Sequence, residues 1–210
     1  MTIQEMRESV CYWAKRSYGE GLFAGTSGNL SAYSREEGVM VITPTSVPYE
    51  GIAPEDMTVL RLDGTVTEGR YGPSSEWRMH AAVYRARPQT GAVVHTHSPY
   101  ATAFAVNRRE IPLILIEMVL FLGGSVPLAE FATPGTQAVG DAAVKALQGR
   151  TGCLLASHGT LAVGETLEQA HLRVVYMEDA AKICSLAMSN GPIVPLTQEQ
   201  AAAISKPKDI

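Results

Sequence analysis

His95-Thr96-His97 closes a short apolar run, Ala92 to Thr96, that lies between Pro88 and Pro99 and reads as a strand. Alternate side chains of a strand project to one face, so the two imidazoles stand about 6–7 Å apart at their bases. That spacing lets both ring nitrogens converge on one ion at about 2 Å. A lone buried histidine is ordinarily a satisfied core residue, whereas two on one strand face point to ligation. His158, in Leu155-Ala156-Ser157-His158-Gly159, supplies a third candidate at the next strand end, where Gly159 allows a sharp exit. Three histidines with an open position describe a catalytic zinc rather than a structural one. Glu76, just after Ser74 and Ser75 at a helix start, is either a fourth ligand or a base. His80, four residues on, shares a helical face with Glu76 and is either its hydrogen-bond partner or a packed helical histidine. His171 stands in a charge-rich helix and reads as structural.

The rest of the chain constrains the setting. Its 210 residues, 46% hydrophobic and 18% charged, have the composition of one ordinary globular domain with a sizeable core. Lys and Arg number 17 against 21 Asp and Glu, which argues against a nucleic-acid partner, since neutralising phosphates requires clustered cations. Cys11, Cys153 and Cys184 form no CxxC pair and sit among apolar neighbours, as core residues in a reducing compartment do. The segment MTIQEMRESV has no apolar h-region, and the longest apolar stretch, Ile111 to Gly124, is broken by Pro112 and Glu117. A cytoplasmic chain with no membrane segment is expected.

Thr2 and Glu5 have capping-box spacing ahead of a first helix that ends near Gly19 and Gly21. Strands are predicted after the Gly25–Asn29 turn, over Val39 to Ile42, around an Asp63-Gly64 hairpin, over Ala92 to Thr96, near Val126 and over Thr151 to Ser157. Helices are predicted from a Ser74 or Ser75 cap to Arg87, over Pro99 to Val106, from Thr133-Pro134 to Gln148, and from Glu165 to Met188. This describes one α/β domain over 1–210, its sheet mixed or antiparallel, with a loosely held tail after about 190.

Gly25-Thr26-Ser27-Gly28-Asn29, Thr43-Pro44-Thr45-Ser46 and Pro73-Ser74-Ser75 are short Gly, Ser and Thr loops at element ends. Their amides and hydroxyls are neutral donors, and Ser74-Ser75 stand at a helix N-terminus, where the macrodipole favours an anion. Each alone is ordinarily just a turn; three near Glu76 point to a phosphate site. No GxGxxG follows a strand and no GxxxxGK[ST] is present, so nucleotide readings have no support.

GTSGNLS, ITPTSVPYE, PSSEWRMH, VVHTHSPYAT and LLASHGTLAVG, taken in this order over about Leu22 to Val175, resemble the class II aldolase/adducin family. The resemblance implies a single-domain three-layer sandwich, a mainly antiparallel central sheet with helices on both faces, assembled as a homotetramer with active sites at subunit interfaces. It implies that His95, His97 and His158 hold Zn2+ or another divalent metal, with Glu76 as resting ligand and mobile base. Thr26, Asn29, Thr45, Ser46, Ser74 and Ser75 would surround the substrate phosphate, Ser46 standing where the family often has glycine. The implied reaction is retro-aldol cleavage of a ketose 1-phosphate to dihydroxyacetone phosphate and an aldehyde. L-fuculose 1-phosphate and 5-deoxy- or 5-methylthio-pentulose 1-phosphates are the expected substrates. An ion at the carbonyl would take the place of a Schiff-base lysine, and no lysine stands in these motifs.

Two departures bear on the substrate. Family members have a tyrosine, donated by a neighbouring subunit, a few residues after an Ile-Pro pair; here Ile111-Pro112 runs into Leu113-Ile114-Leu115-Ile116-Glu117. A tail tyrosine is missing too, since nothing after Tyr176 is aromatic. The aldehyde half of the pocket is therefore expected to be more apolar; whether Glu117 or another residue replaces the tyrosine acid is open at this point. Decarboxylation of a 3-oxo sugar-acid phosphate and 4-epimerisation of a pentulose 5-phosphate share the same metal chemistry and are the alternatives. An adducin-like binding module without chemistry lacks the histidines that this chain has.

Overall fold

Thr2 opens the first helix as its spacing to Glu5 predicts. A computed structural model describes residues 1–205, and in α1 (Ile3–Gly19) Glu5 N donates to Thr2 Oγ1 at 3.2 Å while Thr2 N donates to Glu5 Oε2 at 2.7 Å. The strands follow as β1 (Asn29–Ser34), β2 (Val39–Ile42), β3 (Thr58–Arg61) and β4 (Val66–Glu68). Next come α2 (Trp77–Ala86), β5 (Ala92–Thr96), α3 (Pro99–Val106), β6 (Leu128–Ala129), α4 (Gln137–Ala146), β7 (Gly152–Leu155) and β8 (Gly159–Gly164). Helices α5 (Leu167–Asn190) and α6 (Gln198–Ser205) close the described chain. Strands β2 and β5 and helix α3 have the predicted bounds.

The eight strands form one sheet in the order β4-β3-β2-β1-β5-β8-β7-β6. The sheet is mixed, which corrects the expectation of a mainly antiparallel one. β6 and β7 pair in parallel, because α4 intervenes as a crossover, while the other neighbours pair antiparallel. Strand alternation then sorts the core. Leu30, Val41, Val94 and Ala162 face one side, packed with Met6, Val10, Phe104, Val174 and Met177 of α1, α3 and α5. Met40, Ile42, Val93 and Leu161 face the other, packed with Met79, Val83, Val139 and Ala143 of α2 and α4. Three layers result, with β1, β5 and β8 central and covered on both faces.

One local expectation fails, the serine cap of α2, and elsewhere the structure adds what local pattern leaves open. Residues Gly159–Gly164 form β8, which the glycine at each end hides, since glycine weakens a strand signal. In the Ile111–Leu122 run, Ile111 bridges Val126, and Met118–Leu122 is a π-helical turn ended by Gly123 at φ 80°. Neither Ser74 nor Ser75 caps α2: Glu76 occupies the N-cap position without a side-chain cap bond. After residue 190, α6 forms and Leu196 N donates to Leu113 O at 2.8 Å. No residue of α6 is buried, and the last part of the expected tail, 206–210, lies outside the described residues.

Candidate active site

Antiparallel pairing puts Asn29 opposite His95, and Thr96 opposite Thr160, so the start of β1, the end of β5 and the start of β8 lie side by side. Asn29, Ser31, Val93 and His95 share the face covered by α2, whose N-terminus brings Glu76 over the same strand ends. His97 follows β5, and His158 occupies the turn between β7 and β8. The three rings form a cluster with centroids 4.8, 4.6 and 5.1 Å apart.

One donor atom from each of Glu76, His95, His97 and His158 lies within 4.8 Å of the others. His95 Nε2 is 3.0 Å from His97 Nε2 and 3.0 Å from Glu76 Oε2, and His158 Nε2 is 3.4 Å from that oxygen. His95 Nδ1 lies 2.7 Å from the Thr160 carbonyl, which only accepts, so Nδ1 carries the hydrogen and Nε2 presents its lone pair to the cluster. Lone pairs and a carboxylate oxygen this close repel unless a proton or a cation lies among them. Glu76 Oε1 and His158 Nδ1 are buried without a hydrogen-bond partner among the described residues. Three imidazoles, one carboxylate and an orphaned buried oxygen fit a divalent cation.

Electrostatics agree. Burial alone would raise the Glu76 carboxyl, but His95 and His158 beside it reverse the sign and hold it below the ordinary carboxylate range. Burial, with His95 and His158 adding repulsion, pushes His97 down to about 4, so its ring is neutral near pH 7 and ready to ligate. Gly159 is required here by close approach rather than by its dihedral. A Cβ on it would fall on the Thr96 carbonyl oxygen and against the rings of His97 and His95. The left-handed residue of this exit is Ser157, at φ 53°.

The residues expected around a phosphate line the same cavity as part of this cluster. Thr26, Asn29, Thr45, Ser46, Ser74 and Ser75 line one cavity of about 370 Å³ together with Glu76, His97 and His158. Thr45 N donates to Gly72 O at 3.0 Å and Ser74 N to Thr43 O at 3.0 Å, which stitches the second and third loops together. Tyr49 Oη donates to Gly28 O at 2.7 Å and holds the first loop. Ser46 has φ 58°, the left-handed region that favours glycine.

His80 does not bond Glu76. Its Nε2 lies 2.6 Å from Asn29 Oδ1 and its Nδ1 2.7 Å from Ser31 Oγ, and Asn29 Nδ2 donates to Glu76 Oε2 at 3.3 Å. His80 therefore reaches the carboxylate through Asn29. The reason is that α2 lies over β1, so a face shared with Glu76 is also the face that packs on the strand. His171 bonds Ser17 at 3.0 Å and Glu20 at 2.8 Å, far from the cluster in sequence and in role, and all three cysteines are buried and free. Thr160, Pro134 and the Ser31–Tyr84 pair were not singled out by sequence; their only signal is proximity to motif residues on neighbouring strands.

A family model described as Class II Aldolase and Adducin N-terminal domain matches residues 8–185. The chain belongs to this family and is a carbon–carbon lyase. It is 36% identical over 206 residues to 5-deoxy-D-ribulose 1-phosphate aldolase of Bacillus thuringiensis serovar kurstaki, covering 98% of this chain and 96% of that one. It is 37% identical over 186 residues to L-fuculose phosphate aldolase of Escherichia coli K12, covering 88% and 85%. A solved structure of L-fuculose 1-phosphate aldolase superimposes with a TM-score of 0.91 at 36% identity, over 96% of this chain and 94% of that chain. Among the described residues no helix is long and apolar enough to cross a membrane.

Proposed function

We propose that this chain cleaves a 5-deoxy- or 5-methylthio-pentulose 1-phosphate to dihydroxyacetone phosphate and an aldehyde, with zinc held by His95, His97, His158 and Glu76. The observation that carries the reading is the convergence of three imidazoles and a carboxylate at a cavity that hydroxyl-bearing loops also line. Zinc bound there supplies a Lewis acid toward the substrate carbonyl, stabilising the negative charge that develops as the carbon–carbon bond breaks.

The chain's own residues do the rest. Thr26, Thr45, Ser46, Ser74 and Ser75 offer neutral donors to the phosphate and so fix one end of the substrate. Asn29 and the histidines hold the Glu76 carboxylate in place and ionised, where it can take up the proton released by the substrate hydroxyl that becomes the aldehyde carbonyl and pass it to the carbon left with the electron pair. The Ile111-Pro112 segment carries no tyrosine toward the far end of the substrate, which favours an aldehyde without a hydroxyl beside its carbonyl. The similarity to a 5-deoxyribulose-phosphate aldolase over nearly the whole chain supports the same substrate.

Steady-state comparison of 5-deoxyribulose, 5-methylthioribulose and L-fuculose 1-phosphates tests this. The first two should show the higher kcat/KM with dihydroxyacetone phosphate as product; a preference for fuculose 1-phosphate would overturn the substrate. Release of carbon dioxide from a 3-oxo acid phosphate instead would overturn the reaction. Exposed apolar side chains, Ile116, Leu120 and Phe131, support a homotetramer, and three buried thiols support a reducing, cytoplasmic setting.

A further inference from the structure

The histidines of the cluster are not held alike. His95 is oriented through Nδ1 by the Thr160 carbonyl, whereas the buried Nδ1 of His158 has no partner among the described residues. Its orientation comes from the backbone. Ser157, immediately before it, has φ 53°, and Arg108 has φ 56°, both non-glycine residues in the left-handed region. Such residues are strained and persist where surrounding contacts over-determine them.

Those contacts meet at the end of α3. The Ala105 carbonyl accepts from Ser157 N at 3.2 Å, from Arg108 N at 3.3 Å and from Arg108 Nη1 at 3.0 Å. The same Nη1 donates to Ser157 Oγ at 2.6 Å. Helix α3 starts two residues after His97, so this one short helix is anchored to the strand end bearing His95 and His97 and clasps the turn bearing His158.

We infer that Arg108 is a positioning residue for the metal site: clamped on Ser157 and Ala105, it holds the strained turn that aims His158 at the cluster. Its side chain bonds Ala105 and Ser157 rather than any of the four clustered side chains, and so acts through the turn. The inference rests on His158 being a metal ligand.

Zinc transfer from the loaded full-length chain to a chromogenic chelator tests it without reference to turnover. Arg108→Ala should weaken zinc binding by about tenfold, the scale found for partners that orient ligands, with the unfolding midpoint of the zinc-free chain little changed. Ser157→Ala, which keeps the Cβ but loses the acceptor, should weaken it similarly, and the double variant no further. Arg108→Lys should restore part of the loss. If Arg108→Ala does not fold, Ser157→Ala and Arg108→Lys give the same comparison. Zinc affinity within about twofold in the alanine variants, or losses that multiply in the double variant, would overturn the clamp. An unaltered chain that binds no zinc would overturn the ligand set itself, and this inference with it.

Discussion

Ser46 holds a left-handed backbone, φ 58°, in a loop that lines the candidate site, at a position where a glycine would meet no steric cost. Ser46→Gly should therefore raise stability by about 1 kcal/mol, the balance between relieved strain and added chain entropy, read as a higher urea midpoint at unchanged slope. At Gly159 the balance runs the other way. Gly159→Ala would drive a methyl into the Thr96 carbonyl and two ligand rings, so zinc binding and folding stability should both fall, the latter by about 2–3 kcal/mol in equilibrium denaturation. Glu76 and His95 separate binding from chemistry. Glu76→Gln should keep zinc, because three imidazoles remain, and lose turnover; His95→Ala should lose both, as metal analysis beside a product assay will show. Full turnover in His95→Ala would remove the metal assignment. The residue types of the site were legible in sequence because ligand chemistry admits few side chains. That Ser157, not Gly159, carries the unusual dihedral was not, because φ depends on what the turn packs against.

Helix α2 and strand β1 share a buried polar seam of Asn29, Ser31, His80 and Tyr84, closed by hydrogen bonds of 2.6–2.7 Å. Burial, helped by His95 and opposed by Glu76, pushes His80 down to about 3. The folded state therefore refuses a proton that the unfolded chain accepts at its ordinary value. Stability from this group is complete above about pH 6.5 and is lost as pH falls from there toward 3, at about 1.4 kcal/mol per pH unit. Denaturation of the zinc-free chain at several pH values should show this slope, added to that of His97, and His80→Gln should lower it; an unchanged slope would mean that His80 is already protonated in the folded state. The elements themselves were largely legible where periodicity and punctuation agree, as in β2, β5 and α3. They were not where glycines bracket a strand, as in β8, or where an apolar run turns helical under its neighbours, as in Met118–Leu122.

At the scale of the whole molecule the charge balance of 17 to 21 suits a substrate held by neutral hydroxyls, amides and one metal ion, with no basic surface needed. Large apolar side chains left exposed at Ile116, Leu120 and Phe131, the last beside Arg108, are expected to pack between copies. Sedimentation should find a tetramer, and Leu120→Glu should shift it toward smaller species with a loss of activity greater than the loss of zinc; a monomer with full activity would sink the shared-site reading. Sequence by itself determined the residue types of the candidate site, their order along the chain, the hydroxyl loops and most helices and strands, because these depend on side-chain chemistry and local periodicity. Only the tertiary structure decided that β8 inserts between β5 and β7, bringing His158 and the Thr160 carbonyl to His95, and that His80 serves Asn29 rather than Glu76. Those are facts of strand order and helix seating, set by burying two faces of one sheet at once, and no local pattern records them.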